Sequence, residues 1–284
     1  IPMSNKPLRV REKGALLQAP PAAKPARAGP LVHLKEALRR PRLRRAATQA
    51  GLCLCLLGLC AAYTLGLGDN ATAVVAGKRE LPIYSVERDD KVLAISFDAS
   101  WGADKTLSIL DILDEHGVKT TFFLVGGWVD KYPDMVKEIF ARGHEIGNHT
   151  YSHPHLTNIT AEKLFGEIVC TENILFEVGE YRPKLFRPPE GVYSLTVSGT
   201  LERLDYIPIL WTVDTTDWKH PSAEKIAKTV TDNVKPGSII LCHDYVSGKS
   251  NTAAAMRLFI PELLKQGYVF VTVSELLVSG GTEK

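Results

Sequence analysis

The sequence has few cysteines, and their positions argue against a disulfide framework. Three of the five, at positions 53, 55 and 60, fall within one apolar run, which leaves Cys170 and Cys242 in the body of the chain. Two cysteines form a disulfide only where the fold brings them together. We therefore favour two small buried hydrophobic side chains over a single disulfide.

Acidic residues are scarce at the start of the chain. Residues 1–48 hold 12 Lys/Arg and 2 Asp/Glu, a charge of +10, so the remainder carries −8 within a total of +2. Sustained apolar periodicity is also missing before Leu31, and the segment is rich in Pro, Ala and Arg. This composition predicts that residues 1–48 are largely disordered. The basic run at 39–45 could bind nucleic acid, but the segment that follows explains it better, and we expect no nucleic-acid partner.

Charged residues are absent from residues 49–68, which are mainly Leu, Ala, Cys and Gly. This length matches the roughly 20 residues with which a helix crosses the hydrocarbon core. The basic flank predicts a cytoplasmic N-terminus, with the body of the chain outside the cell membrane. A cleaved signal peptide is the alternative, because residues 71–73 have a small-x-small pattern. We favour an uncleaved single-pass anchor, because the basic region and the apolar run are both long for a signal peptide.

Residues 69–87 are a predicted linker, and residues 88–280 alternate between strand and helix patterns. Seven strand-then-helix units predict a parallel sheet, either doubly wound or closed as a barrel. Runs rich in β-branched or aromatic residues predict strands at 91–97, 118–125, 144–147, 183–187, 206–213, 237–242 and 268–273. Helices are predicted at 103–116, 133–142, 160–178, 221–233 and 250–267.

Polar residues stand at the ends of five of these strands, and this decides between the two folds. In an open sheet only the strands beside the switch point place residues in one site, whereas all strands of a barrel end at one mouth. The sequence therefore predicts an α/β barrel of seven strands, preceded by one transmembrane helix. The residues concerned are Asp98, His149, Arg187, Asp214 and His243.

Two histidines, His149 and His153, are spaced four apart just before Pro154. If this stretch forms one helical turn, both imidazoles project from the same side, and Pro154 ends the turn. Neutral imidazole is a ligand of Zn²⁺ and similar ions. A pair with this spacing is often incidental, so a metal site needs further ligands from the rest of the chain.

The other motifs are ambiguous when each is taken alone. Asp98 could cap the helix at 103–116. Arg187, in an Arg-Pro-Pro-Glu-Gly segment, could belong to a stiff turn or pair with a carboxylate. A histidine that directly follows a buried strand, as His243 does, is often structural.

Taken in order, these motifs resemble the five motifs of the polysaccharide deacetylases of carbohydrate esterase family four, the NodB homology domain. The resemblance covers about residues 88–280 and implies a distorted seven-stranded barrel. The matching segments are Ser96-Phe97-Asp98, His149-Thr150-Tyr151-Ser152-His153, Arg187-Pro188-Pro189-Glu190-Gly191, Asp214-Thr215-Thr216-Asp217-Trp218 and Leu241-Cys242-His243.

The resemblance implies the chemistry of amide hydrolysis. His149 and His153 would bind a divalent metal, with Zn²⁺ favoured over Co²⁺, Mn²⁺ or Ni²⁺. Asp98 would be the general base that deprotonates water, and Arg187 would orient it. His243 would be the general acid that protonates the leaving amine.

The resemblance also implies which residues support the acid and contact the substrate. A carboxylate of the fourth motif, Asp217 or Asp214, would keep the acid charged. Trp218 and Leu241 would line a small pocket for the acetyl methyl group. Substrate contacts are also expected at Pro189 and Glu190 in the third motif.

Two positions depart from the family pattern. The first motif of the family usually has two consecutive aspartates, the second of which is the third metal ligand, and here Ala99 takes that place. Either two histidines and water hold the ion or another acid reaches it. Asp104 is our candidate, with a structural role at the helix N-terminus as its alternative. Glu190 stands where the family often has an aromatic residue.

These observations predict a metal-dependent hydrolase that removes N-acetyl groups from an extracytoplasmic polysaccharide, with peptidoglycan as the expected substrate. One alternative is a non-catalytic glycan-binding module, which would need neither the base nor the acid. The other is a hydrolase of small N-acyl compounds, which the predicted membrane anchor disfavours.

Overall fold

The computed structural model describes residues 81–245 and 250–279, which fold around one parallel sheet. The predicted disordered tail at 1–48 and the predicted membrane segment at 49–68 lie outside the described residues. None of the helices within the described ranges is long and apolar enough to cross a bilayer. The strands are β1 (Val92–Ala99), β2 (Thr121–Leu124), β3 (Glu145–Asn148), β4 (Leu185–Phe186), β5 (Ile207–Pro208), β6 (Val213–Asp214), β7 (Ile239–His243) and β8 (Val269–Phe270).

The strand order is β5-β4-β3-β2-β1-β7-β6, and β8 pairs with the beginning of β1. Eight helices connect and cover these strands in the described residues. They are α1 (Thr106–Glu115), α2 (Gly126–Lys131), α3 (Pro133–Ala141), α4 (Ala161–Gly179), α5 (Leu195–Leu204), α6 (Ala223–Asn233), α7 (Thr252–Lys265) and α8 (Val273–Ser279). The five predicted helices correspond to α1, α3, α4, α6 and α7 and are confirmed.

Three helices, α2, α5 and α8, were not predicted from the sequence. The α2 helix has six residues, too few to show a helical period. The α5 helix begins after Ser194, whose side chain accepts a hydrogen bond from the Val197 amide. The last predicted strand, 268–273, is shorter than expected, because β8 has two residues and α8 begins at Val273.

The run at 206–213, predicted as one strand, is two short strands at opposite edges of the sheet. Between β5 and β6, the backbone amides form hydrogen bonds with two different segments. The Ile209 amide donates to Phe186 O (2.9 Å), and the Leu210 amide donates to Ile83 O (2.7 Å). The continuous order of the sheet therefore contains seven strands with β5 and β6 at its two ends, and β8 is an eighth strand that pairs with β1. The parallel α/β architecture is confirmed, and it fits a partly closed barrel.

Contacts with the sheet begin before residue 88, in the C-terminal part of the predicted linker at 69–87. Ile83 bridges to Ile209, and the Val86 amide donates to Gly237 O at 3.0 Å. Gly237 has φ +78, and a Cβ there would lie 1.6 Å from the Val86 carbonyl oxygen. This close approach requires glycine.

The register of the central strands brings the predicted site residues to one edge of the sheet. Asp98 of β1 pairs with His243 of β7. Paired residues in parallel strands point to the same face, so these two side chains share a face at the C-terminal ends of their strands. His149 follows β3, and Arg187 follows β4 at the same edge. The predicted convergence of strand ends is confirmed.

The two cysteines of the body do not form a disulfide. Both thiols are free. Cys242 is buried, as expected, whereas Cys170 is exposed. The prediction of two buried cysteines therefore holds only for Cys242.

Candidate active site

Asp98 forms a buried ion pair with Arg187. The Arg187 Nη1 donates to Asp98 Oδ1 at 2.8 Å, and Nη2 donates to Ser96 Oγ at 2.8 Å. The guanidinium is fully buried and lies 4.0 Å from the ring centroid of Phe123. Burial alone would raise the pKa of Asp98, but the charge of Arg187 holds it below its ordinary value. Asp98 is therefore ionised at neutral pH and can accept a proton.

The two histidines lie together, but not on a helical turn as predicted. Thr150 (φ 67) and His153 (φ 52) adopt left-handed backbone conformations, which no α-helical turn contains. The ring centroids of His149 and His153 are 5.0 Å apart, at an interplanar angle of 71°. The pair therefore meets through a bend of irregular backbone.

Both histidines are suited to metal binding by their protonation. His149 Nδ1 lies 2.6 Å from Arg187 O, an acceptor, so Nδ1 carries the proton and Nε2 has a free lone pair. Burial lowers the pKa of His149 to about 4 and also lowers the pKa of His153. Both imidazoles are therefore neutral at pH 7, and each can donate a nitrogen lone pair to a metal ion.

A third protein ligand for a metal is not in place in the described residues. Ala99 is fully buried in the apolar core that also contains Phe97. The Asp104 side chain is exposed, and the described ranges contain no group of three His, Cys, Asp or Glu that could hold a metal. Asp98 Oδ2 lies 3.5 Å from His149 Nε2. His149 and His153 could thus fill two coordination positions of a metal ion. The third protein ligand that is usual in the family is not present among the described residues.

Glu167, on α4, holds the bend between the histidines. Its Oε2 accepts from the amides of Tyr151 (3.0 Å) and Ser152 (2.7 Å), and its Oε1 accepts from Ser152 Oγ (2.8 Å). The His153 amide donates to Thr150 Oγ1 at 3.1 Å. Sequence reasoning missed Glu167, because it lies in a helix outside the motifs and only the tertiary fold brings it to the bend.

We expect Glu167→Ala to lower kcat by about 10²-fold, because a displacement of about 1 Å at a catalytic site has effects of this size. Glu167→Gln keeps an acceptor for the two amides and should retain most activity. Steady-state kinetics of the amide hydrolysis that the resemblance implies measures both variants. Glu177→Ala, an exposed change on the same helix, is the control. Equal kcat for Glu167→Ala and this control would contradict the assigned role.

His243 is paired with Asp217, which resolves the choice between Asp217 and Asp214. His243 Nδ1 lies 2.7 Å from Asp217 Oδ1, and Asp217 Oδ2 accepts from the His243 amide (2.8 Å) and Thr252 Oγ1 (2.7 Å). Burial lowers the pKa of His243, but its bond to Asp217 outweighs this and raises the pKa above the ordinary value. Asp214 instead accepts from the Thr216 amide at 2.7 Å.

A pH profile follows from this pair. The protonated form of His243 persists to higher pH than that of an ordinary histidine, so activity that needs an acid is lost as pH rises through the raised pKa. Asp217→Asn removes the charge that raises the pKa, and the alkaline limb of the kcat/KM profile should move to lower pH. The exposed change Asp232→Asn should leave the limb in place. A limb unmoved in Asp217→Asn would contradict the pairing as its cause.

The acid and base open onto one cleft with two lobes. Both lobes are lined by Asp98, His153, Trp218 and His243. The larger lobe, about 460 Å³, is also lined by Glu190, Trp211, Asp214 and Leu241. The smaller lobe, about 240 Å³, is also lined by Ser100, Trp101 and Tyr245.

Most of the predicted substrate-contacting residues line this cleft. Trp218, Leu241 and Glu190 face the larger lobe, whereas Pro189 is buried and lines neither lobe. Sequence reasoning missed Trp211 and Trp101. Trp101 lies three positions after the predicted base, Asp98, and this closeness in sequence was the signal that could have identified it.

Known proteins are similar to this chain in sequence and in fold. A peptidoglycan-N-acetylglucosamine deacetylase of Bacillus cereus is 40% identical over 196 residues, which are 68% of this chain and 92% of that protein. The sequence model of polysaccharide deacetylases matches residues 85–209. The chain belongs to the polysaccharide deacetylase family. The resemblance drawn from the five motifs is confirmed, and the chain is a hydrolase of the polysaccharide N-deacetylase class.

Two solved structures bear on the metal site of this deacetylase. A family 4 acetyl xylan esterase of Clostridium thermocellum, in complex with cobalt, is 33% identical with a TM-score of 0.63, over 66% of this chain and 91% of that one. A family 4 pseudoenzyme of Bacillus anthracis is 31% identical with a TM-score of 0.66, over 69% of each chain. The fold is therefore shared by a metal-bound enzyme and by a pseudoenzyme.

Proposed function

We propose that this deacetylase hydrolyses N-acetyl groups on peptidoglycan. The observation that carries the proposal is a pair of titratable groups whose pKa values are shifted in opposite directions. Arg187 lowers the pKa of Asp98, Asp217 raises the pKa of His243, and both groups face one cleft. Groups whose pKa values are pushed apart in this way mark a base and an acid. Peptidoglycan is the substrate named for the Bacillus cereus relative.

The residues of the chain divide the reaction between them. Asp98 takes a proton from a water molecule, whose oxygen attacks the acetamide carbonyl carbon. His243 then donates a proton to the amine nitrogen as the carbon–nitrogen bond breaks. The products are acetate and a free amino sugar. Leu241 and Trp218 line the larger lobe, where the acetyl methyl group would lie.

The proposal includes a divalent cation, with Zn²⁺ first and Co²⁺, Mn²⁺ or Ni²⁺ as alternatives. His149 and His153 would hold it through their neutral nitrogens. A bound ion of this kind polarises a carbonyl and lowers the pKa of water. Two protein ligands instead of three imply weaker binding than in a three-ligand site.

We also propose that the catalytic domain lies outside the cell membrane, held by a single-pass helix at 49–68 with its N-terminus in the cytoplasm. The support is the uncharged run of about 20 residues after a basic flank. An anchored domain on that side of the membrane would be next to the proposed polymer.

Acetate release from defined substrates tests the proposed activity. The full chain is incubated with peptidoglycan, N-acetylglucosamine oligomers and small N-acyl compounds, with each of the four divalent ions. We expect release from the polymers to exceed release from the small compounds. Release from small N-acyl compounds alone would contradict the choice of substrate.

A non-catalytic glycan-binding module is the second candidate, and two observations favour it. Ala99 replaces the expected third ligand, and the fold is shared with a pseudoenzyme. Tight binding of oligomers without acetate release under any ion would establish this alternative. The paired states of Asp98 and His243 argue for catalysis, because a binder needs neither.

A further inference from the structure

A short segment before β1 joins two parts of the sheet that are not neighbours in its strand order. Ile83 bridges in parallel to Ile209, which follows β5, and Ser85 bridges in antiparallel to Ser238, which precedes β7. The strand β5 is at one end of the sheet, and an end strand presents backbone groups that need partners. The segment therefore connects the edge at β5 with the beginning of β7. We call residues 82–86 the closing segment.

Backbone hydrogen bonds and apolar contacts hold the closing segment in place. The Ile83 amide donates to Pro208 O at 2.9 Å, and the Val86 amide donates to Gly237 O at 3.0 Å. Ile83 and Val86 also pack against a buried apolar cluster that includes Ile209. The closing segment is therefore part of the folded domain, although the sequence predicts a linker there.

Leu210 links the closing segment to Arg187. The Leu210 amide donates to Ile83 O at 2.7 Å, and its carbonyl oxygen accepts from Arg187 Nη2 at 3.3 Å. Arg187 Nε has no hydrogen-bond partner within the described ranges, so the guanidinium makes its hydrogen bonds through the Nη atoms. One of them, Nη1, donates to the base Asp98. A displacement of Ile83 would thus reach the base through one peptide group and one side chain.

We propose that the closing segment is a positioning element for the base, because it holds the Leu210 peptide, which supports Arg187 and thereby Asp98. This rests on the proposed function and extends it, since residues outside the five motifs then contribute to the rate of the reaction. Arg187 and Asp98 are both buried, and closely packed interiors transmit a shift of one group to its neighbours.

Ile83→Ser tests this role, because it removes apolar contacts of the closing segment and leaves its backbone groups intact. We expect kcat for acetate release from an N-acetylglucosamine oligomer by the full chain to fall about tenfold, within the effect of a displacement of about 1 Å. KM should change by less than about twofold. Ile83→Val keeps the apolar contacts and should retain most of the rate. Leu81→Ser, a similar change at an exposed residue outside the segment, is the control and should match the wild type.

A double-mutant cycle with Arg187→Lys tests whether the effect passes through the guanidinium. Lysine lacks the fork that bonds to Leu210 and Asp98 together, so adding Ile83→Ser in this background should change kcat by less than about twofold. Rates are measured at a temperature at which circular dichroism shows each variant to be folded. Equal factors in the two backgrounds would overturn the inference.

The kcat and KM of Ile83→Ser decide the matter if Arg187→Lys does not fold. A lower kcat at constant KM supports the positioning role, and a change in KM alone would overturn it. An active wild type with an equally active Ile83→Ser would overturn this inference and leave the proposed function standing. An inactive wild type would overturn both.

Discussion

Asp98→Asn is expected to lower kcat by about 10²–10⁴-fold, the range over which a positioned general base contributes. Asparagine has the same shape and can still accept the bond from Arg187, but it cannot take a proton from water. KM should change little, because the substituted group acts in the transition state. Initial rates of acetate release from an N-acetylglucosamine tetramer measure the effect.

Substitutions of Asp98 should also change the stability of the protein, and alanine and asparagine should differ in this effect. Asp98→Ala leaves the fully buried Arg187 without its carboxylate, and removing one partner of a buried pair destabilises a protein by about 3–5 kcal/mol. Denaturant unfolding should show this loss for alanine and a smaller one for asparagine. Asp111→Asn, which weakens an exposed pair with Arg142, should change neither stability nor rate appreciably. A kcat for Asp98→Asn near that of the wild type would show that another group is the base.

Ala99→Asp is expected to complete the metal site. Ala99 is the last residue of β1 and its side chain lies in the apolar core, where a carboxylate is costly. We therefore expect the end of the strand to turn the new carboxylate toward His149 and His153, so Zn²⁺ affinity should rise by at least about tenfold, or about 1.4 kcal/mol. Acetate release at limiting Zn²⁺ should rise with it. Calorimetric titration of metal-free protein measures the affinity independently of activity.

The stability of Ala99→Asp gives a second measurement. Position 99 is buried, so a carboxylate without a partner should cost about 3–5 kcal/mol in the metal-free state. Zn²⁺ at about 100 times its Kd should raise the free energy of unfolding by about 2.7 kcal/mol. Ala99→Asn introduces a neutral residue of equal size. It should also lower the stability of the metal-free protein, but Zn²⁺ should restore much less of it. The same Zn²⁺ affinity in wild type and Ala99→Asp would mean that position 99 does not face the histidines.

The sequence predicted the composition of the site better than its geometry. Residues placed at the ends of apolar strands, such as Asp98 and His243, could be predicted because parallel strands end at one edge. The choice of Asp217 over Asp214 could not be predicted, because only the fold shows which carboxylate reaches the imidazole. Glu167 was missed for the same reason, since it joins the bend from a helix in a different part of the sequence.

The errors in the fold have local physical causes. The apolar run at 206–213 resembles one strand, but in the fold its middle residues bond to Phe186 and Ile83 and it divides between two sheet edges. The bend after His149 was predicted as a helical turn from spacing alone. Positive φ values at Thr150 and His153 depend on bonds made by residues outside the bend, which periodicity does not report.

Acetate release from purified peptidoglycan, compared between wild-type protein and Asp98→Asn in the presence of Zn²⁺ at neutral pH, tests the central claim most directly. The account predicts release by the wild type and a rate of about 1% of it or less in the variant, in line with the contribution of a general base. Wild-type protein that is folded and binds oligomers but releases no acetate would contradict it.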